Sequence, residues 1–206
     1  MTDKNYLHNL RIPTEENPLR ILTSACLIGT ACGVNGTSYG DYPSVLKLLN
    51  YPNCKLTPFC PEHFSFGTPR EMCDIYGGDG FDVLEGKVKV ITESGIDWTE
   101  GMIKASEKML AVAQEANIEL AVMMDVSAAC GSQVIYNGNR FAPIPVHQIG
   151  MGVCAAQLTL NGFKVISQRD FESLEILYSK LDSNHIIDST AKDHDQNEWV
   201  LNYFKK

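Results

Sequence analysis

"IELAVMMD", residues 118–125, decides the fold. Apart from Glu119 and the final Asp125 the run is apolar, which is how a strand covered on both faces reads. It follows "DWTEGMIKASEKMLAVAQEAN" (97–117), where Met102, Ile103, Ala105, Met109, Leu110, Val112 and Ala113 make one apolar helix face and Thr99 is a plausible N-cap. Working outward, "RILTSA" (20–25), "CKLTPFC" (54–60) and "FKVISQ" (163–168) read as further strands. "FDVL" and "KVKVIT" (87–92) are β-patterned around Gly86. Helices are expected over 42–50, with Pro43 in the first turn, over 68–78 between Thr-Pro and Gly-Gly, and over 146–162 with Gly162 just beyond the end. "FESLEILYSKLD" and "DQNEWVLNYFKK" give a helical tail. Strands alternating with helices imply an α/β fold in three layers, a mostly parallel sheet with helices on both faces.

Composition bounds the function. The 206 residues are 44% hydrophobic and 20% charged, which suits one globular domain with a core of its own. A net charge of −8 disfavours a nucleic-acid polymer as partner. No stretch approaches the roughly 20 apolar residues that span a bilayer. The N-terminal "MTDKNYLHNLRIPTEENPLR" lacks an apolar signal core, so the chain reads as cytoplasmic with no membrane partner.

Seven cysteines then need an explanation. The odd number and a reducing compartment argue against disulfides, and no C-x-x-C or close Cys/His pair builds a local zinc module. Three cysteines sit where strands end: Cys26 after "RILTSA", Cys60 after "KLTPF", and Cys130 in the loop "VSAACGSQ" that follows the central strand. In a parallel sheet, sites form in the crevice beyond the carboxyl ends of strands. The three thiols are therefore either a soft-metal site, zinc or iron–sulfur, or three small buried hydrophobes. Three protein ligands would leave one iron of a four-iron cluster open to act as a Lewis acid. Cys154 and Cys73 read as helix packing, Cys54 lies at the opposite sheet edge, and Cys32 is an outside candidate near Cys26.

The motifs "SACLIG" (24–29), "CPE" (60–62), "TPRE" (68–71), "ACGS" (129–132) with "IYNG" (135–138), and "GMGVCAAQLTLNGFKVIS" (150–167) occur in an order that resembles the thiouracil desulfidase family. The resemblance covers about residues 20–169. It leaves a polar lead-in over 1–19 and a helical extension over 170–206 that packs on the same domain or forms a homodimer contact. It implies a 4Fe–4S cluster on Cys26, Cys60 and Cys130, with a 3Fe–4S form after oxidation, and removal of sulfur from a thiolated uracil to give uracil and sulfide.

Beside the cluster, Glu62 is the expected catalytic carboxylate. Ser127 is expected to hydrogen-bond the water or the base. Ser24, Arg70 and Cys32 are expected on the substrate side, Arg70 either as a clamp on a substrate oxygen or in an ion pair with Glu71 or Asp74. Asp125 reads as a loop carboxylate, His63 as a polar neighbour or shuttle, and "GMG" (150–152) as a weak anion signal. His8, His147, His185 and His194 show no metal spacing. The chain departs from the family pattern in three loops: "CGVNG" replaces "CRYDG", "FSFGTPR" replaces "GGLPTPR" and "SAACGSQ" replaces "SPSCGSG". These changes bear on which thiolated small molecule enters. The rival readings are a zinc protein on the same thiols and a redox-sensing or metabolite-binding module using Cys26 and Cys32.

Overall fold

The computed structural model describes residues 4–38 and 42–205; the first three residues of the polar lead-in lie outside this range. Along the chain come α1 (Lys4–Asn9), β1 (Leu19–Ser24), a 3₁₀ turn (Ala25–Ile28), α2 (Pro43–Leu46), a second 3₁₀ turn (Lys47–Asn50), β2 (Cys54–Phe59) and α3 (Pro61–Phe66). The middle of the chain holds β3 (Cys73–Tyr76), α4 (Gly80–Leu84), β4 (Lys89–Thr92), α5 (Thr99–Glu115) and β5 (Leu120–Met123). It closes with β6 (Val134–Tyr136), β7 (His147–Ile149), α6 (Val153–Leu160), β8 (Val165–Ser167), α7 (Phe171–Leu181), a third 3₁₀ turn (His194–Gln196) and α8 (Glu198–Phe204). Among the described residues no helix is long and apolar enough to cross a membrane.

The central sheet is parallel, with strand order β2-β1-β5-β8. Alternation along its strands divides the core into two layers. Leu19, Ile21, Leu120, Val122 and Ile166 pack with Leu174, Leu177 and Leu181 of α7. Leu22, Ala121 and Met123 pack with Met102, Met109 and Ala113 of α5 and with Val153, Cys154 and Leu158 of α6. Each fully buried large side chain contributes about 1.5–3 kcal/mol. The lead-in is anchored too: Leu7 and Leu10 are buried, and Arg11 reaches both carboxylate oxygens of Glu119 at 2.7 and 2.9 Å.

Four local expectations are corrected. Residues 68–78 are not a helix. Cys73–Tyr76 pairs antiparallel with β4, Cys73 opposite Thr92, because strand pairing buries Cys73 and Ile75. Cys73 therefore sits on a strand. "FDVL" is helical within α4, because Asp79 accepts from the amides of Phe81 and Asp82 while Asp82 accepts from Asp79, a reciprocal cap. The helix expected over 146–162 begins only at Val153, since His147–Ile149 pairs with β6. Thr99 is the first residue of α5 rather than its cap: Asp97 accepts its amide, and its hydroxyl accepts from Val90.

The "GMG" segment is a packing device. The first amides of α6 would be orphan donors, and the chain gives them carbonyls: Val153 donates to Ala128, Cys154 to Ala129, and Gly152 to Gly131. Gly150 and Met151 are also committed, to Gln133 and Asp79. The Cys130 loop is thus docked onto the helix N-terminus, with no amide left over for an anion. A Cβ at Gly152 would lie 2.6 Å from the backbone of Ala129 and Ser127.

Asp125 ties the far C-terminus to this loop. Its Oδ1 accepts from the amides of Val126, Ser132, Gln133 and Val134, and its Oδ2 lies 2.5 Å from His194 Nδ1. Val126, at φ +57°, is a β-branched residue in the left-handed region, held there by bonds to Asp125 and Val134. Burial alone would raise the Asp125 pKa, but His194 and the amides outweigh it and hold it below the usual carboxylate range.

Gly152→Ala is expected to cost about 1–3 kcal/mol through this overlap, read as a lowered midpoint in urea. Asp125→Asn should cost about 1–3 kcal/mol near neutral pH by weakening the acceptors that four amides and His194 use. A depressed native pKa gives stability above the unfolded value near pH 3.9 and loses it as pH falls through the native value. The gap between wild type and Asp125→Asn should therefore narrow below about pH 4 in chemical melts at several pH values.

Candidate metal centre and active-site cavity

Parallel pairing brings three strand ends to one edge. β1 lies between β2 and β5, and the chain leaves it first toward β2 and later toward β5, so the crevice opens where strand order reverses. Cys26 follows β1 in the first 3₁₀ turn, Cys60 directly follows β2, and Cys130 lies in the loop after β5. All three line one cavity of about 520 Å³, together with Ser24, Cys32, Glu62, Arg70 and Ser127. The structure therefore brings together the eight thiol, catalytic and substrate-side candidates named from the sequence, while His63 and the 150–152 segment do not line this cavity.

Each thiol is positioned by an identifiable local device. Cys60 caps α3: its sulfur accepts the His63 amide at 3.4 Å, with Pro61 preset at the first helical position. Ser127 Oγ accepts the amides of Ala129 and Cys130 at 3.2 and 3.1 Å, which turns the loop that carries Cys130. Ser24 closes the sheet edge by accepting the Met124 amide at 3.0 Å, and its hydroxyl points to the Met123 sulfur at 3.8 Å. The Cys32 thiol lies beside those of Cys26 and Cys60, and the Cys60 thiol reaches the Cys32 carbonyl at 3.8 Å.

Three of the thiols, Cys32, Cys60 and Cys130, have raised pKa values. Interaction with the Cys26 thiol leads in pushing Cys32 up to about 11. Interaction with the Cys32 thiol and burial push Cys60 up, and burial pushes Cys130 up. A reactive redox thiol needs the reverse, a depressed pKa. A metal would take the thiolate form and release the proton. Cys154 and Cys54 stay apart from the cavity, the first buried in α6 and the second at the opposite end of β2. Cys73 lies on the cavity wall.

The donor set discriminates between metal centres. Among the described residues no three His, Cys, Asp or Glu side chains are grouped to hold a single ion. A zinc ion draws its thiolates to about 2.3 Å from one point. An iron–sulfur cluster takes each cysteine on a different iron, so thiols spread around a shared cavity fit that larger group.

Arg70 pairs with neither Glu71 nor Asp74. Its guanidinium meets Glu62 at 2.6 Å and donates to the carbonyls of Cys32 and Gly67 and to Thr68 Oγ1. With a side chain only 3% exposed, it welds the Glu62 carboxylate to the Cys32 loop. Asp74 instead takes Arg140, and Glu71 accepts the Ser94 amide. His63 Nδ1 is engaged with Thr68.

Sequence reasoning missed the outer wall. Tyr136, Arg140, His147 and Trp199 also line the cavity. His147 packs edge-on against Trp199, ring centroids 5.1 Å apart, and lies over Tyr136 at 4.3 Å. The histidines carry no metal spacing, but that test is blind to partners such as Asp125, 69 residues from His194.

Comparison with known proteins agrees with this architecture. The protein YbbK of Bacillus subtilis is 39% identical over 155 residues, which is 75% of this chain and 99% of YbbK. The solved structure of the 4Fe–4S-dependent thiouracil desulfidase TudS superposes with a TM-score of 0.61 at 30% identity, covering 78% of this chain and 98% of TudS. A sequence model of 2-thiouracil desulfurase matches residues 21–170. The chain belongs to the 2-thiouracil desulfurase family.

Proposed function

We propose that the protein is an iron–sulfur desulfidase that removes sulfur from a thiouracil-like base, giving the oxo base and sulfide by net hydrolysis without redox change. The observation that carries this reading is the convergence of Cys26, Cys60 and Cys130 on one cavity from three adjacent parallel strands. Family membership and the likeness to TudS support the same reaction class. Cys26, Cys60 and Cys130 would hold a 4Fe–4S cluster, which when bound supplies a Lewis-acidic iron without a protein thiolate.

The chain's own residues do the rest. Glu62 is the proton-handling carboxylate. Arg70 occupies its Oε2, while among the described residues nothing bonds Oε1, which is left to take a proton from water and return it. Arg70 is a positioning residue in this scheme, since both terminal nitrogens of its guanidinium are bonded to the protein. Ser127 spends its lone pairs on two amides and keeps its hydroxyl proton to donate to water or to a base oxygen. Ser24 lines the cavity and ties the end of β1 to the Met124 amide. Cys32 borders the substrate beside two of the ligands. The raised Cys32 pKa disfavours the redox-sensing alternative, which needs a thiolate there.

Anaerobic reconstitution with iron and sulfide should give a brown protein that releases sulfide from 2-thiouracil or 4-thiouracil. A colourless, iron-free product with no sulfide release would overturn the reading. Cys26→Ala, Cys60→Ala and Cys130→Ala should each lose stoichiometric iron by elemental analysis, whereas Cys54→Ser should retain it. Glu62→Gln should keep its iron and lose about 10²–10⁴-fold in kcat, measured as initial rates of sulfide release.

A further inference from the structure

The family match stops at residue 170, and YbbK and TudS are each covered almost whole by about three quarters of this chain. The remaining 36 residues, 171–206, nevertheless reach the cavity, because Trp199 of α8 is part of its wall. We infer that Trp199 is a substrate-binding residue peculiar to this extension: it offers a stacking face to the planar ring of the thiolated heterocycle. The inference rests on the desulfidase reading and adds a residue outside the shared domain.

Three observations carry it. First, Trp199 is 40% exposed although it lies against the cavity that the thiols share. A large apolar ring kept part-open at a cavity rim is a ready partner for another planar ring. Second, the ring is held from several sides. His194 lies parallel to it at 6.0 Å and 8°, Tyr203 stacks at 5.8 Å, and His147 meets it edge-on. Third, its supports are themselves fastened to the active-site loops. His194 is bonded to Asp125 at the root of the Cys130 loop, and the Tyr203 hydroxyl accepts the His147 amide at 2.9 Å. A face fixed before binding spares the cost of ordering it on binding. Asp125 and His194 act as positioning residues.

The test uses the reconstituted full chain with 2-thiouracil. Losing a base-stacking face costs about 1–3 kcal/mol, or roughly 5–150-fold in affinity. Trp199→Leu keeps apolar bulk without a planar face. It should raise KM about tenfold, with iron content unchanged and kcat within about threefold. Trp199→Phe restores a ring and should return KM to within about threefold of wild type. A readout independent of turnover is the fluorescence of Trp199 in a Trp98→Phe background, where uracil should quench saturably. Equal KM values for Trp199→Leu and wild type, or absence of quenching by uracil, would overturn the stacking role while leaving desulfidase activity standing. Absence of sulfide release from the wild type would instead remove the reading on which the inference rests.

Discussion

Parallel pairing of β1 with both of its neighbours is the constraint on which the molecule depends. Cys26, Cys60 and Cys130 are 34 and 70 residues apart along the chain, and no local segment could assemble them. Because β2, β1 and β5 run the same way, their outgoing loops must leave from one edge. Hydrophobic burial on both faces fixes the register, since a slip by one residue would turn Ile21 and Val122 from one core layer to the other. Packing of aliphatic side chains thus sets the geometry of the site at its edge, where Cys26 joins one layer and Cys130 the other.

Polar economy does the finer positioning. The loop after β5 gives its carbonyls to the first amides of α6 and its own amides to Asp125 and Ser127. Each of these groups would cost about 1–3 kcal/mol if buried without a partner. The loop carrying Cys130 is accordingly rigid for the same reason that the helix beside it begins where it does. Arg70 plays a comparable part across the cavity, joining Glu62 to the backbone around Cys32.

The sequence revealed what periodicity and strand ends encode. The apolar run at 118–125 and the helix before it were readable because their patterns are long and unbroken, and three cysteines at strand ends followed from them. The short elements were not. "FDVL" carries a strand-like composition, yet a reciprocal Asp79–Asp82 cap makes it helical. Residues 73–76 and 147–149 become strands through pairing with segments 11 or more residues away, a tertiary decision that local propensity cannot state. The Glu62–Arg70 ion pair spans a turn and three hydrogen bonds that no motif announces. Trp199 was legible only as part of an amphipathic tail, because its role depends on where that tail returns.

That return has an evolutionary side. The third 3₁₀ turn and α8 join the rest of the molecule through His194 with Asp125 and Asp170 and through Trp199 and Tyr203 with His147. Neither strand order nor thiol placement depends on the identity of residue 199. Mutations at residue 199 can reshape the doorway while the inorganic chemistry behind it stays fixed, so selectivity and reactivity are free to drift on separate clocks.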